Sequence, residues 1–197
     1  MRPDLDIIQK WIKPGSRVLD LGCGDGELLH YLKTHKQVQG YGLEINPAKI
    51  TECIRKGVNV IEQDLDLKGL SNFRTGSFDT VVMSQALQAV RHPDIMLSEM
   101  LRLGKEGIIA FPNFGHWKLR FYLMRKGQMP VSSALPYTWY NTPNIHLCTV
   151  RDFENFCKER NFKIVSRIVM DNEHRHTLPI DLWPNLLGQI AIYRVTR

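Results

Sequence analysis

The segment running from Val18 to Gly26, VLDLGCGDG, decides the fold. Residues 17–21 are a short, mostly apolar run that reads as a buried strand, and it enters directly into glycines at 22, 24 and 26. Glycine in that spacing lets the chain turn sharply and lets a ligand approach backbone N–H groups without side chains in the way. Helix formers resume at Glu27, with Leu28, Leu29 and Leu32 as an apolar stripe. The N-terminal donors of that helix are therefore predicted to point at the same spot as the turn. Strand, glycine turn and helix in immediate succession open a nucleotide-type α/β domain.

Outward from this turn, strands are predicted at residues 38–45, 58–61, 78–83 and 107–111, and helices at 4–11, 48–56 and 93–103. Asn46-Pro47 is a helix start with proline in the first turn, and Gly57 is a stop. Strand and helix alternate with short links, which predicts a parallel sheet covered by helices on both faces. The alternation breaks at Pro112. Residues 112–147 hold four prolines and many aromatics with no sustained period, so they are predicted to form a mostly irregular lid or binding insertion. A helix at 150–160, a strand at 162–170, a long connection at 171–187 and an alternating strand at 188–195 follow. The expected organisation is one domain over residues 1–197 with the aromatic-rich insertion at about 112–147.

A chain of 197 residues buries roughly 70% of its extended surface on folding and needs no disulfide or metal staple. Cys23, Cys53, Cys148 and Cys157 form no CxxC pair and no ligand-like spacing with histidine, so free thiols in a reducing compartment and no metal are expected. Nothing resembles a signal core or a bilayer-spanning run, and a cytoplasmic protein without membrane association is expected. The net charge of +6 is uneven: residues 1–98 balance 12 Lys/Arg against 12 Asp/Glu, while residues 99–197 carry 14 against 8. Without a Lys/Arg block this does not predict a nucleic-acid partner; an acidic protein face or an anionic substrate fits as well.

The carboxylates around the turn narrow the ligand. The spacing is G-x-G-x-G rather than the G-x-G-x-x-G of dinucleotide binders, and Asp20 and Asp25 crowd it. Carboxylates there would repel a pyrophosphate and attract a ligand carrying an ammonium and a sulfonium, as S-adenosylmethionine does. An NAD-linked oxidoreductase is disfavoured on the same two grounds. The turn is expected to keep backbone donors free for such a ligand's carboxylate. Glu44, at the end of the second strand in YGLEIN, can accept both ribose hydroxyls. Asp64, after the third strand, can accept from the adenine amino group, with Leu65 packing on the ring. Asp25 reads equally well as a cap for the following helix.

These residues resemble the class I S-adenosylmethionine-dependent methyltransferases over residues 15–112, through VLDLGCGDG, YGLEIN and FDTVVMSQALQAV. The resemblance implies a Rossmann-like, seven-stranded, mainly parallel sheet whose last strand is antiparallel, with helices on both faces. It implies a cofactor set of Asp20, Gly22, Cys23, Gly24, Asp25, Glu44, Ile45, Asp64, Leu65, Ser84 and Gln85, the last two at the methionine end. Over nearly the full length, including FPNFGHWKLRFYLMRKGQMP and LPYTWYNTPNIHLCTVRDF, the chain is similar to the bacterial methionine biosynthesis protein W (MetW) family. That similarity implies a role in methionine synthesis in support of homoserine O-acetyltransferase, with S-adenosylmethionine or S-adenosylhomocysteine bound.

Two readings stay open. One is an accessory protein that docks on the acetyltransferase through its basic, aromatic second half. The other is a conventional methyltransferase acting on a small-molecule acceptor. Methyl transfer from a sulfonium is an in-line displacement in which positioning supplies much of the acceleration, so a missing catalytic signature does not exclude an enzyme. His116 and His146, among the insertion's aromatics, are the candidate bases, although ordinary hydrogen bonding explains either one. Met83-Ser84-Gln85-Ala86 stands where amine and amide methylases carry an Asn/Asp-Pro-Pro-aromatic motif, which disfavours DNA or glutamine N-methylation. Glu173, His174, Arg175 and His176 read as a solvated loop.

Overall fold

The computed structural model of the chain describes residues 2–132, 135–171 and 177–197. Seven strands form one sheet: β1 (Arg17–Leu21), β2 (Gln39–Glu44), β3 (Asn59–Glu62), β4 (Phe78–Ser84), β5 (Gly104–Pro112), β6 (Lys163–Met170) and β7 (Ile190–Thr196). Their spatial order is β3-β2-β1-β4-β5-β7-β6. Strands β1 to β5 pair in parallel, whereas β7 runs antiparallel to both β5 and β6. The chain order reverses direction across the sheet between β1 and β4, the switch point where ligands of open α/β sheets bind.

Helices cover both faces. On one side α1 (Pro3–Trp11), α2 (Glu27–Lys36) and α3 (Pro47–Arg55) bury Leu5, Ile8, Leu28, Leu32 and Cys53 against Val18 and Val82. On the other, α5 (Pro93–Leu103) and α7 (Val150–Glu159) bury Met96, Met100, Phe153 and Cys157 against Leu19, Val81 and Phe111; α4 (Leu65–Lys68) is a single turn after β3. Side chains alternate along a strand, so the leucines at 19 and 21 face one core while Val18 and Asp20 face the α1 side. All four cysteines are free, with Cys23 Sγ 3.9 Å from Cys53 Sγ. Among the described residues, no helix is long and apolar enough to cross a membrane.

The insertion is more regular than its sequence predicts. It contains a ten-residue helix, α6 (Trp117–Lys126), with no buried residue. Apolar residues occupy six of its positions and lie all round the helix, so no polar face sets off an apolar stripe by which to recognise it. The connection after β6 likewise holds two short helices, α8 (Leu178–Leu182) and α9 (Pro184–Leu187). The cluster at Glu173, His174, Arg175 and His176 lies outside the described residues.

Candidate functional site

The ends of β1, β2 and β4, the segment after β3 and the start of α1 enclose a cleft of about 840 Å³, within the range of small-molecule sites. Asp20, Gly22, Cys23, Gly24, Asp25, Glu44, Ile45, Asp64, Leu65, Ser84 and Gln85 all line it. The structure therefore brings together the whole set of residues at the successive strand ends. The cleft is strongly acidic, with Arg2 and Lys49 as its cationic lining residues.

Its glycine turn does a different job from the one expected. Gly22 and Cys23 donate their N–H groups to Leu43 O at 2.9 and 3.0 Å, and Gly26 donates to Cys23 O at 3.1 Å. Gly24 N donates to Glu44 Oε2 at 2.9 Å. The donors of Gly22, Cys23 and Gly24 are thus spent on stitching the turn to β2, and that of Gly26 on closing the turn, rather than held open for a ligand carboxylate. The physical reason is that a turn folded against a parallel neighbour must satisfy its own buried donors. The left-handed glycines shape the wall instead: Gly24, at φ +61°, has nothing within 4 Å of where a Cβ would sit, so the cleft reaches the backbone there.

Glu44 is 8% exposed, and its Oε1 accepts from both Ile45 N and Asn46 N at 2.9 Å. With Gly24 N, three of the roughly four acceptor sites of a carboxylate are filled, which leaves about one for a ligand. Asp64 caps α4, accepting from Asp66 N at 2.8 Å and Leu67 N at 3.3 Å through Oδ1. Its neighbour Asp66 accepts Arg91 N at 2.8 Å and ties this wall to the loop before α5. Asp25 sits on the rim, accepting Glu27 N at 3.3 Å and pairing with Lys56 Nζ at 2.7 Å. The Lys56 hydrogen bond holds its carboxyl below the usual range. Ile45, 55% exposed, presents apolar surface at the mouth.

Ser84 and Gln85 are organised by the first helix, α1, and the residue before it. Asp4, 2% exposed, accepts Ser84 Oγ at 2.8 Å and Gln85 Nε2 at 3.3 Å through Oδ2. Arg2 donates to Ser84 Oγ at 3.2 Å and lies 3.4 Å from the same Asp4 oxygen. An acid just after Pro3 reads locally as a partner for the helix dipole, and nothing in the local pattern reveals that it is buried 80 residues away from its contact. Gln85 adopts φ +55°, a left-handed conformation that costs a non-glycine residue roughly 1–3 kcal/mol and persists where the surroundings enforce it. Here Gln85 N donates to Ala110 O at 2.7 Å, and Gln88 Nε2 donates to Gln85 O at 2.8 Å.

Asp20 stands beside these groups at 4% exposure and lines the cleft. Burial pushes its carboxyl up to about 7; Arg2 opposes this, while Glu44 and Asp4 add to it. A buried carboxyl flanked by two others is an unbalanced site that a cationic ligand would neutralise.

A family model described as methionine biosynthesis protein MetW matches residues 2–195 of this chain. The chain belongs to the MetW family. A bifunctional methionine biosynthesis protein MetXA/MetW from Rhodopirellula baltica is 32% identical over 198 residues, covering 96% of this MetW chain but 32% of the relative. This chain thus spans about a third of that curated relative. Among solved structures, an S-adenosylmethionine-dependent methyltransferase from Mesorhizobium loti aligns with TM-score 0.68 at 17% identity, covering 99% of this chain and 98% of the other. Phosphoethanolamine N-methyltransferase 2 from Haemonchus contortus, in complex with S-adenosyl-L-methionine, aligns with TM-score 0.68 at 14% identity, covering 98% and 52%. The MetW fold is therefore the Rossmann-like class I methyltransferase fold, with the antiparallel last strand.

The two candidate bases, His116 and His146, do not line the cleft. His116 is 5% exposed at the N-cap of α6, where burial first and then Lys118 hold its imidazole below the usual range. His146 lies 3.2 Å from Arg91 O through Nε2 and lines a separate apolar pocket beside Phe153 and Phe156. The insertion reaches the cleft instead through Pro143 and Asn144.

Proposed function

We propose that this MetW-family protein binds S-adenosylmethionine or S-adenosylhomocysteine in the acidic cleft and, in that form, supports homoserine O-acetyltransferase in methionine synthesis. The observation that carries the ligand assignment is the buried pair Asp20 and Glu44 at the ends of β1 and β2, with a third buried carboxylate, Asp4 of α1, beside them and Arg2 as the one cation against the trio. When bound, the cofactor supplies an ammonium, a sulfonium and an electrophilic methyl group. Asp20 would balance the positive charge, and Glu44 would accept a ribose hydroxyl at its remaining acceptor site. Ile45 and Leu65 offer apolar surface to the adenine ring, and Asp64 Oδ2 an acceptor at its edge. Ser84 and Gln85, braced by Asp4, would hold the methionine end.

The partner assignment rests on the Rhodopirellula relative, a bifunctional methionine biosynthesis protein that joins MetXA and MetW in one chain. S-adenosylmethionine is made from the end product of the pathway, so its occupancy of the cleft would report downstream supply to the acetyltransferase. The experiment is titration calorimetry with S-adenosylmethionine, followed by acetyltransferase assays with and without this protein across cofactor concentrations. Binding with a cofactor-dependent change in acetylation rate supports the reading; no complex and no change in rate would overturn it.

A second reading is favoured by one feature. Pro143 and Asn144 of the insertion line the same cleft as Ser84 and Ala86, so a small acceptor could be held between the insertion and the end of β4. A conventional methyltransferase would release S-adenosylhomocysteine with such an acceptor, whereas the accessory protein would return its cofactor unchanged.

A further inference from the structure

Helix α6 is anomalous in its setting. Trp117, Phe121 and Met124, spaced as one helical stripe, are 44%, 49% and 76% exposed. A ten-residue helix is marginal on its own, and surface helices ordinarily gain their stability by burying an apolar face. Here no residue of the helix is buried, and Leu119 alone among the ten is part-buried. The helix is held at its start, where Arg120 donates to the carbonyls of Gly115 and Asn185. Exposed tryptophan, phenylalanine and methionine beside arginine are the composition of a protein interface.

Charge selects the occupant. Residues 107–151 contain no aspartate or glutamate, while α6 alone carries Lys118, Arg120, Arg125 and Lys126. By helical spacing, Arg120 flanks the stripe on one side, and Lys118 and Arg125 on the other. A two-fold pairing of this chain through α6 would set like charges against like, because such an interface is self-complementary. The surface calls for a different protein that presents an apolar groove edged with carboxylates.

We infer that α6 is the docking helix for the acetyltransferase, its Trp117-Phe121-Met124 stripe filling an acid-edged groove on that enzyme. This rests on the reading that the protein supports homoserine O-acetyltransferase, and it names the surface that does so. No residue of α6 lines the acidic cleft, so docking through α6 leaves the strand-end residues free for ligand.

The test uses the full chain and purified homoserine O-acetyltransferase, measured by calorimetry and by size-exclusion with light scattering at two salt concentrations. Phe121→Glu and the pair Arg125→Glu/Lys126→Glu are compared with Ile54→Glu, a 65% exposed position on α3. Each variant is also titrated with S-adenosylmethionine and melted, which reports the fold independently. The expected result is a loss of at least tenfold in acetyltransferase affinity for both α6 variants and none for Ile54→Glu, with weaker wild-type binding at high salt. Wild-type binding that the α6 variants retain would overturn the surface and leave the partner standing. No wild-type complex would overturn the partner reading and this surface with it. A wild-type dimer dissolved by Phe121→Glu would overturn the proposal in favour of a second copy. Binding of a single-stranded RNA oligonucleotide lost in Arg125→Glu/Lys126→Glu would overturn it in favour of nucleic acid.

Discussion

Ser84 Oγ donates to Asp4 Oδ2 at 2.8 Å, fastening the end of β4 to the first turn of α1 across 80 residues of chain. Gln85 Nε2 reaches the same oxygen, so one buried carboxylate positions both residues at that end of the cleft. Replacing Asp4 with alanine leaves these donors buried without an acceptor, at a cost of about 1–3 kcal/mol. Asp4→Ala is expected to lower the thermal midpoint and to weaken S-adenosylmethionine binding about tenfold in calorimetry. Unchanged affinity alongside a lowered midpoint would confine Asp4 to a structural role.

Two glycines of one turn separate shape from space. A Cβ at Gly26 would sit 2.9 Å from Cys53 Sγ and 3.2 Å from Val58 Cγ2, inside the core. A Cβ at Gly24 would meet no protein atom and would project into the cleft. Both positions are left-handed, at φ +74° and +61°, so each alanine carries a backbone cost of about 1–2 kcal/mol. Gly26→Ala is expected to add a packing penalty and melt earlier than Gly24→Ala. Gly24→Ala is expected to lose more ligand affinity than stability, which paired melting and calorimetry will resolve.

Glu44 accepts three backbone N–H groups, from Gly24, Ile45 and Asn46. A glutamine has one acceptor oxygen, so its amide group must turn N–H against N–H on one side. Glu44→Gln is expected to lose about 1–3 kcal/mol, a fall of several degrees in midpoint for a domain of this size. Ligand affinity should fall at least tenfold because the β1–β2 stitch and the acceptor are one group. A wild-type melt in Glu44→Gln would show that the three hydrogen bonds contribute nothing net.

Much of this site is legible in the sequence because it depends on local rules. Glycines at 22, 24 and 26 answer to left-handed φ values of +73°, +61° and +74°, and Asp20, Glu44 and Asp64 follow from where strands end. The donors of the turn were not legible, since their use by Leu43 and Glu44 depends on which strand lies alongside. Arg2 and Asp4 escaped for the same reason: their partners are distant in sequence and meet only when α1 packs beside β4. Helix α6 escaped because it lacks the one-sided apolar pattern that burial imposes.

Asp20 makes the site sensitive to pH in a direction opposite to most carboxylates. Its carboxyl rises from an ordinary 3.8 to about 7, chiefly through burial, so the folded protein holds a proton that the unfolded chain has released. Between about pH 4 and 7 the native state binds more protons at this residue, and its contribution to stability falls as pH rises through that window. Asp25, Asp79 and Glu99, held below their usual range, act in the opposite sense at more acid pH. The difference between wild type and Asp20→Asn isolates the residue: ligand-free Asp20→Asn should gain stability relative to wild type as pH climbs toward 7 and hold that gain above it. A cationic ligand reverses the preference, because it binds the ionised carboxylate and expels the proton. Wild-type affinity for S-adenosylmethionine should therefore rise about tenfold per pH unit from pH 5 and level off above about 7, with one proton released per ligand on the rising limb and none on the plateau. Calorimetry in buffers of different ionisation enthalpy counts that proton directly. A flat affinity profile, or an equal slope in Asp20→Asn, would remove Asp20 from the ligand's charge balance.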